Sequence, residues 1–220
     1  LFRSIANAGT VDAFLTKFNG SGSKLWTRLL GNASTEQAYG VAADSVGNVY
    51  MTGYTNSATL DGGITAGFYD AFLVKYDSSG VKQWTRLIGG TDTDESYGVA
   101  TDSAGNVYTT GRTGSASLDG ISNAGSQDVF LVKYDGTGTK LWTRLLGNAS
   151  LDFGRGVATD SANNVYITGI TSSTSLAGSV NAGNEDAFLA KYDSYGNRQW
   201  TRLLGGGLGD TAFGVATSSA

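Results

Sequence analysis

Residues 70–127 read DAFLVKYDSSGVKQWTRLIGGTDTDESYGVATDSAGNVYTTGRTGSASLDGISNAGSQ, and this 58-residue stretch recurs along the chain without a gap. Trp26, Trp84, Trp142 and Trp200, the only tryptophans, keep that interval. So do Arg28, Arg86, Arg144 and Arg202, Lys17, Lys75, Lys133 and Lys191, and Asp12, Asp70, Asp128 and Asp186. Chance does not hold such register over three periods. A fixed period of this length is the signature of a repeat architecture.

Each unit reads as two hairpins. DAFLVKY (70–76) faces KQWTRLI (82–88) across Asp77-Ser78-Ser79-Gly80. An Asx residue opens each copy of that turn, and Gly fills the fourth place, where a left-handed φ is needed. YGVATD (97–102) faces NVYTTG (106–111) across Ser103-Ala104-Gly105. Alternation is clear within the strands: Phe72, Val74 and Tyr76 point one way, Ala71, Leu73 and Lys75 the other. No 3.6-residue periodicity competes with it, so no helix is expected. Apolar residues on both faces of DAFLVKY call for a sheet covered on both sides, as the blades of a β-propeller are. A β-helix has shorter, parallel coils, and a lone four-stranded sheet of this size leaves one face bare.

Composition narrows the function. The chain has 33 glycines, no proline, cysteine or histidine, and a net charge of −4 with a pI near 4.7. Lacking His and Cys, it lacks the commonest general base and the strongest neutral-pH nucleophile. Thiolate metal sites and disulfides are excluded, and the acidic balance argues against nucleic acid. No apolar run is long enough for a membrane-spanning helix. No G-x-S-x-G elbow, P-loop or zinc motif is present.

The motifs D-A-F-L-V-K-Y-D-x-x-G-x-x-x-W-T-R-L-x-G-G and G-V-A-T-D-S-x-G-N-V-Y-x-T-G resemble the SBBP-type β-propeller repeat of bacterial exported and surface proteins. The second hairpin is similar to NHL-type blades as well. Proline-containing segments between blades, usual in the family, are missing here. The resemblance implies that G-V-A-T-D is the innermost strand, N-V-Y-x-T-G the second, D-A-F-L-V-K-Y the third and the Trp strand outermost. The expected architecture is one all-β domain over 1–220, an arc of about 3.75 blades. A partial blade spans 1–30, three blades span 39–88, 97–146 and 155–204, and the inner strand of an incomplete blade spans 213–217. The fractional count and the leading Leu1 lead to the expectation of a piece of a longer parent, then of a ring completed by another chain through open edges, with a gapped four-bladed ring as the third alternative.

An acid precedes each inner strand: Glu36, Asp94, Asp152 and Asp210, with Asp92 and Glu95 added in the second repeat. A ring of such carboxylates at the channel mouth would attract a cation such as Ca²⁺, which favours oxygen ligands. The plainer reading, which outweighs it, has each acid pin its own loop through backbone N–H groups or meet the nearby recurring arginine. One acid per loop is few for Ca²⁺, so no cofactor is expected. Trp26, Trp84, Trp142, Trp200 and the arginines Arg28, Arg86, Arg144 and Arg202 read as architecture, because residues present in every blade build the ring. Specificity is expected where repeats differ, in the loops 32–38, 90–96, 148–155 and 206–212 and the linkers 54–69, 112–127 and 170–185.

The expected function is therefore a non-enzymatic structural or interaction module, extracellular or at the bacterial cell surface. It would bind a protein or glycan, or assemble with further repeats of its own kind. The alternative is a hydrolase or lyase domain using channel-mouth carboxylates, with or without a cation.

Overall fold

The computed structural model describes residues 6–218, and among these all regular structure is β. An outer hairpin comes first, β1 (Ala13–Phe18) and β2 (Lys24–Leu30). The first complete blade holds β3 (Glu36–Ala43), β4 (Val49–Thr55), β7 (Asp70–Tyr76) and β8 (Lys82–Ile88), with a small hairpin β5 (Thr59–Leu60) and β6 (Gly63–Ile64) in its linker. The second repeats this with β9 (Asp94–Thr101), β10 (Val107–Thr113), β13 (Asp128–Tyr134) and β14 (Lys140–Leu146), and the linker hairpin β11 (Ser117–Leu118) and β12 (Ile121–Ser122). The third holds β15 (Asp152–Thr159), β16 (Val165–Thr171), β19 (Asp186–Tyr192) and β20 (Arg198–Leu204), with β17 (Ser175–Leu176) and β18 (Ser179–Val180). Each blade is an antiparallel sheet whose strands lie in chain order from inside to outside: β3-β4-β7-β8, β9-β10-β13-β14 and β15-β16-β19-β20. This is an arc of β-propeller blades.

Local chemistry sets the turns. Asp77 Oδ1 accepts hydrogen bonds from the N–H groups of Ser79 and Val81, both at 2.9 Å, and Gly80 sits at φ +82°. The same turn recurs at Asn19, Asp135 and Asp193. The apolar cores lie between blades rather than inside them. One combines Tyr50, Ala71, Leu73 and Ile88 from the first blade with Val107, Phe130, Val132 and Tyr134 from the second. The neighbours Phe72 and Leu73, on opposite faces of β7, are both fully buried. At β1 this cover is missing. Phe14 is 67% exposed where its counterparts Phe72, Phe130 and Phe188 are at 0%, because no strand equivalent to β4 lies beside it among the described residues.

Three sequence expectations need correction. The inner strands begin at Glu36, Asp94 and Asp152, three residues before the expected blade starts, so these acids open the strands rather than precede them. The linkers are not plain loops, since each carries a two-residue hairpin. Residues 213–217 carry no ladder hydrogen bonds, because a strand needs a partner and no second strand lies beside them among the described residues. The segment nonetheless docks as an inner strand would. Asp210 N–H donates to Glu185 O (2.8 Å) and Thr217 Oγ1 to Thr159 O (2.7 Å), repeating Thr159 to Thr101 (2.8 Å) and Thr101 to Ala43 (3.0 Å).

Candidate functional site

The recurring acids hold the chain together at the blade entrances. Glu36, Asp94 and Asp152 are fully buried. Glu36 accepts from Asn32 N–H (2.9 Å) and from the hydroxyls of Thr55 and Ser57, both 2.6 Å. Asp94 Oδ2 accepts from Gly90 N–H and Ser115 Oγ, and Asp152 Oδ2 from Asn148 N–H and Ser173 Oγ, at 2.8–2.9 Å. Asp210 takes Gly206 N–H at 2.8 Å. Burial pushes the carboxyls of Asp94 and Asp152 up, against the pull of these hydrogen bonds. Asp92 is exposed and accepts from Thr93 N–H (2.7 Å); its charge adds to burial in raising Asp94, and its own N–H donates to the Ser115 hydroxyl that Asp94 accepts from. Among the described residues no group of three or more acidic side chains gathers to hold a metal ion.

Trp, Arg and Lys of the repeat work as one clasp between blades. Trp84 Nε1 and Lys75 Nζ both donate to Gly136 O (3.3 and 2.7 Å), and Arg86 Nε donates to Gly138 O (2.6 Å). All three therefore grip the Asx-Gly turn of the next blade. Trp26, Lys17 and Arg28 grip the turn at Ser78–Gly80 likewise, and Trp142, Lys133 and Arg144 that at Ser194–Gly196. Each arginine also lies over its own Trp ring, at 5.2–5.8 Å. Three donors on one turn leave these side chains little freedom for a ligand.

A different set converges at the inner-strand ends. The sequence triplet G-V-A is preceded by Tyr39, Tyr97, Arg155 and Phe213, the same structural place in four copies with three chemistries. In the three complete blades this residue is the extra one of a β-bulge. Ala38 pairs with Gly53 and Gly40 with Thr52, so Tyr39 has no partner, and Tyr97 and Arg155 are bypassed in the same way. The bulge exists because the second strand carries Gly opposite it. A Cβ on Gly53, Gly111 or Gly169 would stand 1.8 Å from the carbonyl oxygen of Gln37, Glu95 or Phe153. Bulges re-aim side chains, and these re-aim theirs toward one another. The rings of Tyr39 and Tyr97 are 5.2 Å apart, and the Arg155 guanidinium lies 4.6 Å from Tyr97, 5.7 Å from Phe153 and 5.9 Å from Phe213.

Around this row stand further side chains that differ between repeats. Tyr54 packs on Tyr39 (5.9 Å) and on Tyr69 (4.8 Å, edge-on), and Tyr39 Oη donates to Gln37 Oε1 (3.0 Å). Glu95, 8% exposed, pairs with Arg112 at 2.9 Å and accepts from Tyr97 Oη. Arg112 also donates to Gln127 Oε1 (3.0 Å) and lies 4.9 Å over Phe153. Burial and then the nearby Glu95 raise Tyr39 and Tyr97, and burial with Tyr39 and Glu95 pushes Tyr54 up to about 12. The phenols are thus neutral donors at any physiological pH. Of the sequence-named acids only Glu95 belongs here. Arg155 falls within the variable segment 148–155, and Glu95, Tyr54 and Arg112 within 90–96, 54–69 and 112–127, while Tyr39, Tyr97 and Phe213 each lie one residue past the loops expected to carry specificity. The signal of the row was the single variable letter before an otherwise constant G-V-A.

The sequence model of the SBBP family, described as a β-propeller repeat, matches residues 25–61, 83–119 and 141–177, together half of the chain. The chain belongs to the SBBP β-propeller repeat family. It is 27% identical over 235 residues to an uncharacterized WD repeat-containing protein of Acanthamoeba polyphaga mimivirus, covering 85% of this chain and 17% of that protein. It is 30% identical over 218 residues to the regulatory protein FlaEY of Caulobacter vibrioides, covering 87% and 22%. The chain thus spans about a fifth of the length of the curated relatives it matches. Among solved structures, a luciferin-regenerating enzyme aligns with 87% of this chain and 55% of its own, at 12% identity and a TM-score of 0.39.

The SBBP match begins inside the Trp strand and ends in the following linker hairpin, so the family unit straddles two blades. It joins the outer strand of one blade to the inner strands of the next. The SBBP unit therefore carries the bulge and its variable residue together with the Gly that shapes it: Tyr39 with Gly53, Tyr97 with Gly111, Arg155 with Gly169.

Proposed function

We propose that this SBBP protein is a non-enzymatic binding module whose recognition surface is the row Tyr39, Tyr97, Arg155 and Phe213 with the flanking Tyr54, Glu95 and Arg112. One observation carries the reading: Tyr39, Tyr97 and Arg155, which stand at one repeat position with differing chemistry, are mounted on identical bulges and meet, with Phe213 of the fourth copy beside Arg155. On repeat folds the shared residues build the frame and the differing ones select the partner. Tyr and Arg are also the residues that dominate binding energy at interfaces. The acids proposed for catalysis are fully buried in loop-pinning roles at positions 36, 94 and 152, which gives the enzyme reading no support from geometry.

The test is titration of the protein with panels of oligosaccharides and peptides, followed by amide chemical shifts. The reading expects shifts confined to the inner-strand ends, abolished in the double variant Tyr39→Ala, Tyr97→Ala with the fold retained. Ligands that bind equally well to that variant would refute it. The uncovered Phe14, Phe18 and Val41, 57–67% exposed, further support association with repeats of the same kind, which light scattering at rising concentration would detect. The family resemblance supports a place outside the cell or on its surface, to be checked by protease shaving of intact cells.

A further inference from the structure

Arg155 differs from every other arginine around it. Arg112 is neutralised by Glu95 and bonded to Gln127. Arg28, Arg86 and Arg144 spend their donors on turn carbonyls. Arg155 has neither hydrogen bond nor ion pair among the described residues, and its Nε is buried without a partner. What holds the guanidinium is aromatic: Tyr97 on one side, with Phe153 and Phe213 near it. A half-buried cation with unspent donors is costly to keep; its Nε is enclosed, so the two Nη groups at its end are the fork left for a ligand. That fork matches a carboxylate, which it can take with two parallel hydrogen bonds.

The neighbours indicate what carries the carboxylate. Tyr39 is 51% exposed and next to Tyr97, so it offers a flat, electron-rich face beside the cation. The C–H face of a pyranose ring presents a slightly positive surface that suits such a ring face. Hydroxyl-bearing ligands also need donors and acceptors in alternation, and Gln37 with the Tyr39 and Tyr54 phenols supplies both. One unpaired cation takes one carboxylate, so the subsite holds a single charged sugar of the oligosaccharide.

We propose that Arg155 and the Tyr39–Tyr97 face form a subsite for a uronic-acid residue of an acidic oligosaccharide, with the carboxylate on the Arg155 guanidinium and the sugar ring on the tyrosines. The inference rests on the binding-module reading above and deepens it. An acidic peptide is the competing ligand, and the test separates the two.

The experiment is calorimetric titration of the whole chain with oligogalacturonate, alginate-derived and hyaluronan oligosaccharides, with methyl-esterified oligogalacturonate as the uncharged control and oligoglutamate as the peptide. At least one uronate should bind, and its affinity should fall about ten-fold or more on esterification and in Arg155→Gln. Arg155→Lys should recover only part of it, because the fork is lost while the charge remains. Arg155→Met, which keeps the packing stem over Tyr97, should bind as weakly as Arg155→Gln while melting like the parent. That pairing distinguishes loss of the subsite from loss of the fold. Unchanged affinity in Arg155→Gln, equal binding of the ester, or no uronate binding to the folded parent would each overturn the proposal. Oligoglutamate binding that depends on Arg155, without uronate binding, would overturn the sugar assignment but leave the binding-module reading standing. If no ligand of either class responds to Arg155 or to Tyr39 and Tyr97, both fail.

Discussion

Replacing Ala177 by Asp should stabilise the protein. In the linker hairpins β5–β6 and β11–β12 the first turn residue is aspartate, Asp61 at φ +50° and Asp119 at φ +52°. Asp61 accepts a hydrogen bond from Thr85 Oγ1 (2.5 Å) and pairs with Lys82, and Asp119 accepts from Thr143 Oγ1 (2.5 Å) and pairs with Lys140 (2.6 Å). In β17–β18 the same place holds Ala177 at φ +53°. Its missing carboxylate leaves Thr201 Oγ1 buried without a partner, and Arg198 stands where Lys140 stands one repeat earlier. Aspartate tolerates left-handed backbone better than alanine, by up to about 1 kcal/mol. Satisfying a buried hydroxyl is worth about 1–2 kcal/mol, and the exposed ion pair with Arg198 adds roughly 0.2–1 kcal/mol. Ordering the new side chain costs about 0.5 kcal/mol. The net expectation is about 2 kcal/mol, or roughly 4–8 °C in Tm for a chain of this size. Thermal unfolding followed by tryptophan fluorescence reads it. Ala177→Gly relieves only the backbone and should gain less than half as much. In a double-mutant cycle, Thr201→Val should be near neutral in the parent and cost about 1 kcal/mol in the Ala177→Asp background. An Ala177→Asp protein no more stable than Ala177→Gly, or a Thr201→Val cost equal in both backgrounds, would refute the reasoning.

Two further outcomes follow from the clasp and from the buried acids. Gly138→Ala should cost about 2–4 kcal/mol, because at φ +84° the new methyl would stand 2.8 Å from Arg86 Nη2 and 2.9 Å from the Trp84 ring. Gly105→Ala, at φ +80° with open space around it, should cost only about 1 kcal/mol, from backbone strain alone, in the same urea titration. Thermal stability should peak on the acid side of neutrality. Burial raises Asp70, Asp94, Asp128 and Asp152 above the ordinary carboxyl value of 3.8, so the folded state holds more protons than the unfolded one above that pH, and stability falls as pH rises through their folded values. Hydrogen bonds led by Ser79, Thr137 and Asn197 lower Asp77, Asp135 and Asp193, so their contribution is present above 3.8 and lost as pH falls through their depressed values. Melting from pH 3 to 8 tests this, and Asp94→Asn should flatten the neutral limb. A melting curve that rises monotonically to pH 8 would contradict it.

Much of the fold was legible because its determinants are local. The Asx-x-x-Gly turn needs a side-chain acceptor and one left-handed residue within four positions, and Asp77 through Gly80 declare both. The linker hairpins were equally legible and passed over: Asp61-Gly62 and Asp119-Gly120 are turn dipeptides of the strongest kind, hidden in the third copy by Ala177. The acids were harder. Whether Asp94 faces solvent or backs into its turn depends on Ser115, 21 residues on, and on the closeness of the next strand.

By itself the sequence determined the 58-residue period, the two hairpins per unit, the strand order through family resemblance and the division between constant frame and variable positions. Those are properties of spacing and of turn chemistry, which neighbours along the chain decide. Tertiary structure alone decided that Trp, Arg and Lys converge on a turn roughly one repeat away, and that Tyr39, Tyr97, Arg155 and Phe213 meet in one row. The aim of Tyr39, Tyr97 and Arg155 comes from a bulge at which Gly53, Gly111 and Gly169 admit a carbonyl from the paired strand. Close approach of two backbones is a contact across the sheet, and no spacing along one strand records it.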